Sequence, residues 1–293
     1  MRYTRPMSAF VTTVEEAEVT RAKGWLAQLA LRFERERRGT VLVRRSHHGP
    51  LRVLKALYPE GPEVCQAIIV HPPGGIAGGD VLDIAVEAGP GAQVQLTTPG
   101  AAKWYRSTGA YAESKVRIRA APGSVVEWLP QEAILFDRAR ASVATRIDLE
   151  GDAVFLGWDI VSLGRGAAGE RFTAGRLRQT LEVARDARLV FCERALIDGG
   201  SPALQSGAVL GAAPVFGAMF VAADALSGEA LAACRAHAPP AGEGAVTRLP
   251  GLLLARYRGR SAWEARMYFA SLWQVLRPRL VGRSAVSPRI WAT

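Results

Sequence analysis

Two acidic residues have the surroundings expected of a carboxylate that meets a cation. Asp159 in VFLGWDIVSL and Glu193 in RLVFCERALI are each the single acid of an apolar run, whereas Asp80 ends a glycine-rich loop, where a carboxylate is usually solvated or caps the backbone. A buried, isolated carboxylate is costly, so it normally pairs with a cation, takes up a proton or binds a metal ion. An ion pair with an arginine and a transient site for a divalent cation are both open from these residues alone.

The stretch HPPGGIAGGD, residues 71–80, combines features of a sharp corner. Its two prolines fix φ, and its paired glycines allow backbone conformations that other residues avoid. The strand-like VLDIAVE follows, so no helix N-terminus is present to hold a phosphate. The pattern predicts a rigid loop that presents Asp80, while His71 either ligates a metal or hydrogen bonds at the end of the preceding strand.

Further acids and one glycine motif complete the candidates. Glu127 and Glu132 in VEWLPQE and Glu170 after GRGAAG could join a polar path or lie at a strand edge or in a loop.

GRGAAG, residues 164–169, matches a dinucleotide fingerprint, but the following ERFTAGRLRQTLEV does not have the pattern of a phosphate-binding helix. No serine elbow, H-x-x-x-H or Cys-His motif appears, so hydrolase or nucleophilic chemistry lacks support and no catalytic residue is assigned.

The elements that position these residues are mostly strands. Segments such as AQVQLTT, SKVRIRA and TRIDLE alternate apolar and polar residues with a period of two, and turn signals such as GPGA, APGS and DGGSP separate them. From about residue 25 to 222 the pattern predicts a mainly β fold. Its many serial strands should form packed, elongated sheets of a β-sandwich or β-helix-like kind.

Two helices are predicted in the C-terminal region. Ser227 is placed to cap SGEALAACRAHA, and Ser261 with Glu264 forms a capping box before SAWEARMYFASLWQVL. The second helix is expected to end near Pro278.

This second helix is rich in aromatic residues and has two possible roles. It could cover an open sheet face, or its aromatic side chains could dock a partner if they are exposed. The docking hypothesis concerns Trp263, Tyr268, Phe269 and Trp273.

Composition limits the class of protein. The 293 residues are 49% hydrophobic and 22% charged, typical of a folded globular protein, and the net charge of +10 favours acidic partners. The arginines are spread along the chain, which is weak evidence for nucleic-acid binding. No targeting signal or membrane-length apolar run is visible, so a cytoplasmic protein with no membrane association is predicted. Residues 1–23 are predicted to be a flexible polar arm and residues 24–293 a single β-rich domain.

Six motifs in order resemble the urease accessory protein D family, called H in some bacteria. They are LYPEG, HPPGGIAGGD, LTTPGAAKWYRS, VEWLPQE, LGRGAAGE and PRIWAT, and the resemblance covers residues 24–293. It implies a mostly β protein with two helices and no catalytic activity of its own. It also implies partners: an all-helical F protein, a nickel-carrying GTPase called the G protein, and the urease apoenzyme into which the assembly loads nickel.

The resemblance also assigns a role to the acids. A water-filled tunnel is proposed as the ion's path in that family, and the family's acidic positions match Asp80, Asp159 and Glu193 here. These three are the predicted transient Ni(II) ligands, and Glu170, Glu127 and His71 are further candidates along the path. No tightly bound cofactor is expected, only Ni(II) in transit.

Two other functions stay open from the sequence. The charge of +10 is compatible with a basic β protein that binds nucleic acid or another polyanion. An enzyme for sugars or other small molecules on a β scaffold would need clustered acids that these spacings do not reveal.

Overall fold

Seventeen strands and two α-helices make up the described part of the chain in the computed structural model, which describes residues 24–224 and 226–292. The predicted arm, residues 1–23, lies outside the described residues. The strands are β1 (Leu26–Glu36), β2 (Gly39–His48), β3 (Arg52–Leu57), β4 (Val64–Val70), β5 (Val81–Ala88), β6 (Gln93–Thr97), β7 (Ala102–Trp104), β8 (Ala112–Ala120), β9 (Val125–Leu129), β10 (Ala133–Leu135), β11 (Arg140–Leu149), β12 (Val154–Leu163), β13 (Arg176–Arg185), β14 (Arg188–Asp198), β15 (Val215–Ala222), β16 (Glu243–Leu249) and β17 (Leu252–Gly259). The helices are α1 (Gly228–Arg235) and α2 (Ala262–Val281).

The strands form two sheets between which the chain passes back and forth. One sheet has seven strands in the order β14-β13-β11-β8-β5-β1-β2, and the other follows the order β16-β17-β15-β12-β9-β6-β4-β3, with β7 and β10 attached beside β12. Successive rungs stack in parallel, as β5 on β8, β8 on β11 and β6 on β9 do. The prediction of a mainly β fold with elongated sheets is therefore confirmed, and the stacking is β-solenoid-like.

Alternation along the strands divides the buried side chains between two cores. On β12, Phe155 and Val161 face the seven-stranded sheet, whereas Trp158 and Ile160 face the opposite side, where α2 packs. Successive side chains of a strand point to opposite faces, so one strand supplies both cores. The seven-stranded sheet has a different pattern, because its outer face carries charged residues such as Arg117 and Arg119, which are exposed.

Both predicted helix starts are confirmed. The Ser227 and Ser261 hydroxyls accept hydrogen bonds from the backbone N–H groups of Ala230 and Glu264, respectively. The second helix ends three residues after the proline near which its end is predicted, since α2 continues through Pro278 to Val281 and closes on Gly282 at φ 71°. A proline in the last turn removes one backbone donor, but the helix needs to continue for only three residues more.

The hairpin of β16 and β17 lies beyond the region predicted to be strands. Val246 of β16 and Leu253 and Ala255 of β17 are buried in the core under the helices, whereas Leu252 and Leu254 are buried in the core between the sheets. No helix among the described residues is both long and apolar enough to cross a membrane.

Candidate functional site

A cavity of about 380 Å³ lies between the two sheets and forms the candidate site. Its wall is largely apolar and is interrupted by eight polar or charged residues, namely His71, Thr98, Lys103, Ser114, Gln131, Thr145, Asp159 and Gln179. A second cavity of about 40 Å³ shares Asp159, Val161 and Gln179 with the first. The two cavities therefore adjoin each other at these three residues.

Of the two acids that line the cavities, Asp159 is the one without a cationic partner among the described residues. It alternates with Val161 on the inner face of β12, so its carboxylate points toward β13 of the other sheet, where Gln179 hydrogen bonds to it. Burial raises the pKa of Asp159 to about 6, and the negative charge of Glu193 acts in the same direction. The ion-pair alternative does not apply to Asp159, because no basic side chain among the described residues lies within salt-bridge distance of it.

Glu193 lies at the far end of the smaller cavity and is paired. Both of its carboxylate oxygens accept hydrogen bonds at 2.8 Å from Arg256, whose side chain is half exposed. The register of the ten-stranded sheet determines the position of Arg256. Asp159 lies opposite Ala218 on the neighbouring strand, and Ala218 in turn lies opposite Arg256. The Glu193–Arg256 pair thus lies where the smaller cavity approaches the surface.

The loop 71–80 is the rigid corner that its composition predicts. The Asp80 carboxylate accepts hydrogen bonds at 2.8 Å from the backbone N–H groups of Trp25 and Ala77, and Gly79 has φ 96°. Ile76 is buried and pairs with Trp104, which fastens the loop to β7. Asp80 therefore holds the corner together and is not among the residues that line the cavity.

His71 lines the larger cavity near this corner. Burial lowers the pKa of its imidazole below the usual value, although the nearby Asp80 carboxylate opposes the effect. A neutral imidazole keeps a free nitrogen lone pair, which is the form that binds a metal ion.

Glu127 does not line the cavity, and the nickel-path hypothesis does not hold for it. It lies on the face of β9 that packs under α2, where it is 1% exposed. Its carboxylate accepts hydrogen bonds from Trp273 Nε1 at 2.6 Å and Arg277 Nε at 2.9 Å, and Arg277 also binds Glu60. This buried ion pair attaches α2 to the ten-stranded sheet.

Glu170 also lies away from the cavity. Its carboxylate accepts two hydrogen bonds from Arg165, at 2.9 and 3.0 Å, and this guanidinium lowers the pKa of Glu170. Since Arg165 also lies over the ring of Phe136, at 4.5 Å from its centroid, the pair organises the loop that precedes β13. Glu132 is not among the residues that line the cavity.

The docking hypothesis does not hold for three of its four aromatic residues. Tyr268, Phe269 and Trp273 are at most 1% exposed and pack between α2 and the ten-stranded sheet. Only Trp263 is exposed, at 55%, with Met267 one turn further along the same helix. The alternative interpretation, a helix that covers an open sheet, is the correct one.

Gln179 and Arg256 are the site residues that sequence reasoning missed. Gln179 occupies an inward-facing position between Leu177 and Leu181, so a polar residue on the apolar side of an alternating strand was the available signal. Arg256 had no comparable signal, because only strand pairing brings it to Glu193.

The site therefore consists of two adjoining cavities between the sheets, with one acid that lacks a cation on the wall they share and an ion pair on the wall of the smaller cavity. The described residues contain no group of three or more His, Cys, Asp or Glu side chains that could hold a metal ion together.

Comparison with known proteins identifies the class. Residues 26–292 match the family model described as UreD urease accessory protein. The chain is 50% identical to the urease accessory protein UreD of Azoarcus sp. (strain BH72) over 270 residues, which covers 92% of this chain and 95% of that protein. It is 51% identical over 273 residues to the protein of the same name from Dechloromonas aromatica (strain RCB), with the same coverage. This chain belongs to the UreD family of urease accessory proteins, and the family assigns it a role in urease maturation.

Proposed function

We propose that this chain is a noncatalytic scaffold subunit of a cytoplasmic complex that inserts nickel into the urease apoenzyme. Its partners are those implied by the family, an F protein and a GTP-dependent G protein together with the urease apoenzyme. Ni(II) passes through the space between the sheets as cargo, without a resident metal site.

The position of Asp159 is the observation that carries this proposal. An unpaired carboxylate at the junction of two cavities is costly for stability, and burial alone favours its neutral form. With a pKa of about 6, it is mostly ionised at neutral pH and offers a hard oxygen to a partly hydrated divalent ion. A single such ligand holds the ion weakly enough for it to move on.

The ends of the passage offer chemically different groups. His71 supplies an imidazole near the loop 71–80, and Glu193 supplies a carboxylate at the other end that Arg256 holds. An arriving cation must compete with the Arg256 guanidinium for Glu193. Asp80 contributes indirectly, since it fixes the corner beside His71.

The direct test is activation of purified urease apoenzyme by the assembled accessory complex with Ni(II) and GTP. Asp159→Asn removes the central charge, and Val161→Phe adds a ring at the junction of the cavities. Val43→Phe is the control, because Val43 is exposed and lines neither cavity, so its added ring lies outside the passage. We expect Asp159→Asn and Val161→Phe to lower activation about tenfold or more, while gel filtration shows a normal complex. Activation equal to that of the unchanged protein by both variants would refute the passage.

A further inference from the structure

The outer face of the seven-stranded sheet carries a basic cluster that the passage does not use. Arg140, Arg176 and Arg178 lie at the start of the adjacent parallel strands β11 and β13, and Tyr111 directly precedes the neighbouring β8. The register places Arg140 opposite Arg176 and Ala141 opposite Ala112, so these side chains share one face and one end of the sheet. We call these four residues the strand-start cluster.

The Tyr111 ring organises the cluster. The guanidinium carbon of Arg140 lies 4.7 Å from the ring centroid, and that of Arg178 lies 4.5 Å from it. Two cations at one ring are held by cation–π attraction against their mutual repulsion. The arrangement therefore presents two guanidinium groups in fixed positions before any partner arrives.

The cluster has more positive charge than its own carboxylate neutralises. Asp198, at the end of β14, pairs with Arg176, and the pKa of Asp198 is lowered by that hydrogen bond and also by the charges of Arg176, Arg140 and Arg178. Arg140 and Arg178 have no carboxylate within salt-bridge distance among the described residues, and the Arg140 Nε is buried without a hydrogen-bond acceptor. Three arginines thus share one acid.

The middle of the same sheet face is different, because its cations are paired. Arg117 binds Asp83 at 2.7 Å, and Arg146 binds Asp148 at 2.7 Å and Glu182 at 2.8 Å. The uncompensated charge on this face includes the strand-start cluster and the exposed Arg194 of the neighbouring β14, and Leu196, opposite Arg178, is 62% exposed beside them.

We infer that the strand-start cluster is a docking surface for an acidic segment of a partner protein, with Asp or Glu side chains bound by Arg140 and Arg178. Arginine, tyrosine and an exposed leucine are typical of the centre and edge of a protein interface. A planar guanidinium binds a carboxylate through two parallel hydrogen bonds.

Nucleic acid fits this surface less well than an acidic protein segment does. A nucleic-acid backbone needs a continuous basic track, but Asp83, Asp148 and Glu182 interrupt the face beside the cluster. The positive patch is short, and an acidic peptide segment of a few residues can match it. This inference does not depend on the nickel passage, since the cluster lies on the opposite side of the sheet from the cavity.

The test is fluorescence anisotropy of a labelled oligo-glutamate peptide with the full chain, at moderate salt. The Arg140→Gln/Arg178→Gln double variant removes the two uncompensated cations. Arg117→Gln/Arg146→Gln is the matched control, because it lowers the net charge by the same amount on the same face but removes paired arginines. We expect about tenfold weaker peptide binding by the cluster variant and less than about threefold by the control.

The possible outcomes separate the inference from simpler explanations. Equal weakening in both double variants would show a nonspecific effect of net charge and would overturn the inference, as would unchanged binding in the cluster variant. Tighter binding of duplex DNA than of the peptide, lost in the cluster variant, would also overturn it by assigning a different partner class. Thermal unfolding of each variant checks the fold, and Arg178→Lys, which keeps the charge but not the planar group, should weaken binding without affecting the fold.

Discussion

Asp159→Asn should stabilise this protein at neutral pH, although it is expected to impair nickel delivery. Asparagine has the same shape and can still hydrogen bond to Gln179, but it carries no charge at any pH. The ionised carboxylate, by contrast, is buried without a cation. The substitution therefore removes a cost that the folded state bears only when Asp159 is ionised.

The magnitude follows from the pKa of Asp159. Its rise from 3.8 in the unfolded chain to about 6 in the folded protein, at about 1.4 kcal/mol for each pKa unit, corresponds to about 3 kcal/mol. The folded state binds the proton more tightly, so the stability contributed by the protonated group is fully present below pH 3.8 and is lost as the pH rises to about 6. The advantage of the asparagine variant should therefore appear over this interval and stay constant above it.

The assay is urea denaturation of both proteins at a series of pH values on either side of this interval. Asp148→Asn is the control, since Asp148 lies on the outer face, where it is partly exposed and paired with Arg146. It should change the free energy of unfolding by no more than about 1 kcal/mol, and in the destabilising direction. A difference between Asp159→Asn and the unchanged protein that does not vary with pH would refute the reasoning.

Three further predictions concern the residues that hold the site in place. Arg277→Met should lower the free energy of unfolding by about 3–5 kcal/mol, because it leaves Glu127 and Glu60 buried without a cation; a loss below about 1 kcal/mol in urea denaturation would contradict this. Asp80→Ala should cost about 1–3 kcal/mol by removing the acceptor of two backbone N–H groups, and Asp80→Asn should recover part of the loss in the same measurement. Glu193→Gln should change stability by less than about 1 kcal/mol, since its pair with Arg256 is half exposed, yet lower urease activation; full activation would remove Glu193 from the passage.

The family motifs and the strand alternation were readable from the sequence. Alternation is a local property that indicates which side chains a strand buries. The helix starts at Ser227 and Ser261 were also readable locally, because a serine hydroxyl accepts a hydrogen bond from a free backbone N–H group of the first turn. The corner at residues 71–80 was equally local, since prolines and glycines restrict or release the backbone whatever surrounds them. The alternation of β6 predicts an exposed position for Gln95. This prediction is wrong, since Gln95 is fully buried because α2 covers that face of the sheet.

The roles of the acids were decided by the tertiary structure. Glu127 and Asp159 look alike in sequence, as single acids within apolar strands, but they face opposite sides of the same sheet. Glu127 meets Arg277, which is 150 residues away, whereas Asp159 meets the cavity and no cation. The sequence by itself determined that a buried carboxylate must either pair with a cation or lower the stability of the fold. Which of the two acids has a cation was decided by packing between elements far apart in the chain. The partner of a buried charge comes from the assembled sheets and helix, and not from its neighbours along the strand.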